Sequence, residues 1–173
     1  MFSRLNLAFV LSIRLIAGSD VEPPNEYQVK AACLYNFTKF IVWPAEAFRE
    51  TDKTFTICIL GRDPFGAALD AVVAGRAIDG RPLEVRRLSD ASQTAGCRVL
   101  YLGASDRKRI ATPENQIGVL TVGEGGSLAS ATLVINFTLN GGKVRFEINT
   151  AAAEDRKLHV SSRLLSLATV VKK

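Results

Sequence analysis

One histidine, three cysteines and a short Arg-Asp pair are the residues of this chain whose types invite chemistry. His159 stands alone, so a histidine-rich metal site is excluded and a Ser-His-Asp triad would have to recruit this one ring. Its place between two predicted C-terminal helices suits a surface or helix-linking residue better. Cys33, Cys58 and Cys97 contain no Cys-x-x-Cys pair, which removes the usual dithiol redox motif. Neither His-Glu-x-x-His nor a Walker loop is present. Arg62 and Asp63 follow a predicted strand, where open α/β sheets bind ligands. Gly61-Arg-Asp-Pro-Phe-Gly66 lacks a phosphate-cradling glycine pattern, and Asp63 before Pro64 can instead cap the next helix. The remaining chemistry is that of contact. Tyr35, Trp43, Phe65 and Arg163 are of the types that anchor protein interfaces.

These residues need elements to position them. Glu26 to Pro44 reads as a helix with Val29, Ala32, Cys33, Phe37, Phe40 and Ile41 on one apolar face, stopped at Trp43-Pro44. Tyr27, Tyr35 and Trp43 belong at its rim. Pro44 to Phe48 can start a further short turn. Thr54–Leu60 is β-branched and apolar on both faces in its second half, as a covered central strand would be. Ala67–Val73 reads as a helix, and Arg81–Leu88, Cys97–Leu102 and Ile117–Val122 as strands, with a helix over Ser105–Ala111. Asn140-Gly141-Gly142 between two apolar runs is a hairpin signal. Thr150–Arg156 and Ser161–Val171 read as two more helices, Ser161 or Ser162 capping the second. The sum is a single-domain α/β sandwich with a mixed, largely parallel central sheet flanked by helices.

Residues 1–19, with Arg4, an apolar run and Ala17-Gly18-Ser19, have the outline of a secretory signal peptide. Residues 20–25 then form a polar linker and 26–173 the folded domain. Arg14 interrupts the apolar run, which falls far short of the roughly 20 residues a membrane span needs. Removing Arg4 and Arg14 lowers the formal charge from +5 to +3. The basic residues are scattered, the densest group being Arg107-Lys108-Arg109, and do not form a nucleic-acid surface. No cofactor is indicated. An exported chain with three cysteines allows one disulfide and one thiol left over.

Several blocks in order carry a resemblance. They are Tyr27-x-Val-Lys-Ala-Ala-x-Leu-Tyr-Asn-Phe-x-Lys-Phe40, Trp43-Pro44, Ile59-Leu-Gly-Arg-Asp-Pro-Phe-Gly66 and Cys97-x-Val-Leu-Tyr-Leu102. Val119–Gly123, Ile135-Asn-Phe137, Val144–Asn149, Ala151–Ala153 and Ser161–Ala168 complete the series. In these blocks the chain resembles the YfiR-like family of bacterial periplasmic proteins. One departure is Ala131-Thr132-Leu133-Val134, where the family carries a Gly-Gly pair. The resemblance implies a non-enzymatic regulator that restrains an inner-membrane diguanylate cyclase by binding its periplasmic sensor domain. It further implies a homodimer, sequestration by an outer-membrane lipoprotein, and a disulfide between Cys58 and Cys97, leaving Cys33 as a buried thiol. A second reading is a small-ligand sensor with a pocket near Arg62 and Asp63, lined by His159 and Arg163. A hydrolase finds almost no support in these residues.

Overall fold

The first helix starts where the sequence supplies a cap. Asn25 accepts a hydrogen bond from the Gln28 N–H, and the Gln28 side chain returns one to the Asn25 N–H. From there α1 runs Glu26–Phe40 and stops three residues before Trp43, because Ile41 is already extended. The β-branched pair Ile41–Val42 forms strand β1 instead. The computed structural model describes residues 25–104, 116–125, 128 and 133–173; the signal-peptide and linker readings, the Ser105–Ala111 helix and the Arg107–Arg109 group lie outside the described residues.

After a short 3-10 turn at Ala45–Ala47 come β2 (Phe55–Leu60), α2 (Ala67–Val73), β3 (Ala77–Ile78), β4 (Arg81–Leu88), β5 (Cys97–Leu102), β6 (Leu120–Glu124), β7 (Ile135–Asn140) and β8 (Lys143–Asn149). The chain closes with α3 (Thr150–Asp155), β9 (His159–Val160), α4 (Ser162–Leu165) and β10 (Val170–Lys172). Eight strands form one sheet in the order β10-β8-β7-β6-β5-β2-β4-β3, and β1 pairs with β9 in a separate ribbon. Strands β4, β2, β5, β6 and β7 are parallel neighbours; β7–β8 and β3–β4 are antiparallel. This is the mixed, largely parallel α/β sheet that the alternating pattern predicts.

Both sheet faces are buried. On one, Phe55, Ile57, Ile59, Val99, Tyr101 and Val122 pack against apolar residues of all four helices. On the other, Cys58, Leu60, Leu88, Cys97, Leu100, Leu102, Val119 and Leu133 form a second cluster. Cys58 and Cys97 are joined there as a disulfide with Cα atoms 5.8 Å apart, and Cys33 is free, though half-buried rather than buried. The β7–β8 turn is Gly141-Gly142, both with positive φ, which L side chains rarely adopt. At the departure from the family pattern, Leu133 leans over Gly123; a Cβ there would lie 2.7 Å from Leu133 Cδ1.

Two further sequence expectations need correction. The buried stripe of α1 is Lys30, Ala31, Leu34, Phe37 and Thr38, rotated from the predicted face; Val29, Ala32, Cys33 and Phe40 are only partly covered. The last predicted helix is a single turn, α4, capped by the Ser161 hydroxyl. Beyond it Thr169 hydrogen-bonds to Phe146, and the β-branched Val170–Val171 join the sheet beside β8.

Candidate functional site

The carboxyl ends of β5, β6 and β7, with the first turns of α1 above them, enclose a cleft of about 440 Å³. Its wall includes Glu26, Tyr27, Lys30, Glu124, Phe137 and Leu139. Glu26 and Lys30 stand one helical turn apart and form an ion pair. The Lys30 ammonium also bonds to the Glu124 carboxylate at the end of β6. Lys30 is nearly inaccessible, its side chain only 4% exposed. Tyr27 donates its hydroxyl to Glu124 Oε1 at 3.1 Å. The Lys30 Nζ lies 4.7 Å from the Tyr27 ring centroid and 5.8 Å from that of Phe137.

Burial opposes the charge on Lys30, but its hydrogen bonds to Glu124 and Glu26 outweigh it and raise the ammonium pKa. Burial and the adjacent Glu124 carboxylate raise the Tyr27 phenol. Tyr101, below, is fully buried, and its hydroxyl makes no hydrogen bond of ordinary geometry among the described residues. Burial first, and then Glu124, push this phenol far above its ordinary value.

An open α/β sheet usually binds ligands where its strand order reverses, here between β2 and β5. That crevice is filled. The Phe65 ring, 4% exposed, packs edge-on against Tyr101 at 4.7 Å and Tyr27 at 5.7 Å. The cleft therefore opens over the neighbouring strands, and Phe65 is core, not a contact anchor.

The other predicted residues separate. Asp63 organises its own loop, accepting from the Phe65 and Gly66 N–H groups rather than capping α2 directly. Its other oxygen pairs with Arg87 Nε at 2.7 Å, and Arg87 also holds Asp70. Arg62 is exposed beside it. His159 is exposed in the β1–β9 ribbon, opposite Val42, and Arg163 lies over the Phe40 ring at 5.7 Å. Phe40 and Tyr27 are about 20 Å apart along α1 at the normal helical rise. His159 and Arg163 thus sit at the opposite end from Arg62 and Asp63, and no shared pocket forms. Trp43 is half-buried against Phe55 at 5.0 Å, its buried Nε1 without a hydrogen-bond partner among the described residues. Tyr35 lies at the surface between Lys39 (4.2 Å) and Arg76 (4.4 Å), which hold its phenol below the ordinary value.

Sequence reasoning passed over Lys30, Glu124 and Phe137. A signal existed: Lys30, Leu34, Phe37 and Ile41 are spaced 4, 3 and 4 apart, a buried stripe with one charge in it. A lysine on such a stripe demands a partner.

The class that the architecture defines is an α/β domain with a cleft at the carboxyl ends of its central strands. The chain belongs to the YfiR/HmsC-like family, whose model matches residues 27–169. That family consists of periplasmic regulators rather than enzymes. Comparison with curated proteins gives no match. Among solved structures, a conserved domain protein from Vibrio cholerae is similar with a TM-score of 0.47 and 12% identity, over 86% of this chain and 60% of that one. Among the described residues no helix is long and apolar enough to cross a membrane.

Proposed function

We propose that this chain is a periplasmic repressor of an inner-membrane diguanylate cyclase, acting by binding the cyclase's periplasmic sensor domain and so lowering cyclic di-GMP signalling. The observation that carries the reading is the family match over residues 27–169. Repression by occupancy requires only that the bound and free sensor domains differ in cyclase output, biased by the contact free energy. Residues 1–19 act as the export signal and 20–25 as the linker to the domain. The protein works as a homodimer, and an outer-membrane lipoprotein competes for it.

The contact residues in this reading are exposed or at the surface: Tyr35 with its two flanking cations, Arg163, Arg62 and His159. Trp43, Asp63 and Phe65 support them from within. The test is direct binding to the purified sensor domain of a membrane cyclase encoded nearby. A micromolar or tighter complex, weakened by Tyr35→Ala, is expected; no complex at micromolar concentration overturns the proposal.

A second reading, a small-ligand sensor, is favoured by the cleft itself. Its volume falls within the range typical of small-molecule sites. A millimolar ligand screen by thermal shift tests it.

A further inference from the structure

Lys30 occupies its surroundings as a guest occupies a cation site. Two carboxylates, Glu26 and Glu124, take its ammonium, and the rings of Tyr27 and Phe137 stand beside it. Carboxylates and ring faces are the set that recognises an ammonium group. The cleft extends beyond this one ammonium for about 440 Å³. Glu26 stands at its mouth with its side chain 36% exposed. An ionised carboxylate has about four acceptor positions, so Glu26 can take a second donor without releasing Lys30. Along the wall Leu139 is 54% exposed, an apolar surface that an apolar ligand body would cover.

The sign of the ligand charge follows from the cost of rearrangement. An anion would have to draw Lys30 away from two carboxylates at once and break a buried ion pair. A cation leaves that pair in place and adds a donor to Glu26. We infer that the cleft takes a small organic cation, an amine with an apolar chain or ring, its ammonium bonded to Glu26 beside Lys30 and its body along Leu139. The inference rests on the ligand-sensing reading and names the ligand class for it.

Isothermal titration of the full chain at neutral pH and fixed ionic strength tests this with butylammonium, choline and cadaverine, set against butyrate and inorganic phosphate. At least one amine should bind in the millimolar range or tighter, and neither anion should. Glu26→Gln should weaken amine binding about tenfold, the worth of one charge-assisted hydrogen bond. Leu139→Ser, at an exposed position near the hairpin turn, should weaken it severalfold. Anion binding without amine binding overturns the cation assignment while ligand sensing stands. Binding by neither class overturns both. Amine affinity unchanged in Glu26→Gln, or in Leu139→Ser if the first variant does not fold, overturns the placement.

Discussion

Replacing Lys30 by methionine keeps the unbranched shape of the side chain, one atom shorter, and removes its charge. The Lys30 side chain is 4% exposed and its ammonium is shared by two carboxylates, so the variant removes that shared partner from both. Deleting one partner of a buried ion pair costs about 3–5 kcal/mol. Glu26 is more than a third exposed, and water screens its share of that loss. Glu124, only 14% exposed, carries most of it, which places the cost near the lower end, about 3 kcal/mol. For a domain of this size that lowers Tm by about 6–12 °C. Urea unfolding followed by far-UV circular dichroism measures it. In the wild type the pH dependence of this pair lies at the alkaline end. The Lys30 pKa is raised in the folded state, so its contribution is complete below the unfolded lysine value of about 10.4 and is lost as pH rises above it. Adding Glu124→Gln to Lys30→Met should recover much of the loss, since the two residues share one interaction. A single variant that costs under about 1 kcal/mol at neutral pH, or a double variant no more stable than the single, refutes the buried-pair account.

Three other outcomes follow from the packing. In an ultraviolet titration of the three tyrosines, Tyr35 should ionise first, Tyr27 later, and Tyr101 only as the chain unfolds. Because the folded pKa of Tyr101 is raised, its share of stability is intact below about pH 10 and falls above it. Thiol counting in unreduced denaturant should find one thiol per chain, from Cys33, and reduction of the Cys58–Cys97 bond should cost about 4 kcal/mol in the chain-entropy model. Trp43→Ala should destabilise by about 2–4 kcal/mol through lost packing on Phe55, so any loss of partner binding must be compared at matched folded fraction.

Local signals located most elements well. The alternation of strands and helix from Thr54 to Leu102 and the hairpin at Asn140-Gly141-Gly142 each have a short-range cause, and each stands in the fold. Long-range pairing decided the rest. The run from Ser161 to Val171 carries a true helix cap, but its β-branched end finds a better partner in β8 than in a further helical turn. The buried face of α1 is hard to find from sequence because Lys30 and Thr38 lie on it, and polar types suggest exposure. Lys30 is acceptable there because Glu26 and, from 94 residues away, Glu124 both take its ammonium. The chemistry at the strand ends is illegible for the same reason. Arg62, Asp63, His159 and Arg163 look like a set by type, yet α1 holds the two pairs at its opposite ends.

The disulfide has a consequence for damage tolerance. It ties β2 to β5, its immediate neighbour in the sheet, and the segment between the two cysteines, 39 positions apart, holds α2, β3 and β4. One exposed part of that span is the Asp79-Gly80 turn, where both residues have positive φ. A protease that cuts there opens the chain without releasing either piece. Each side of the cut remains anchored, one by β2 and the other by β5, through a bond buried where reductants reach poorly. Such a nicked molecule migrates as one species until it is reduced. In a compartment rich in proteases and poor in reductants, a single scission is an injury this fold can carry without coming apart.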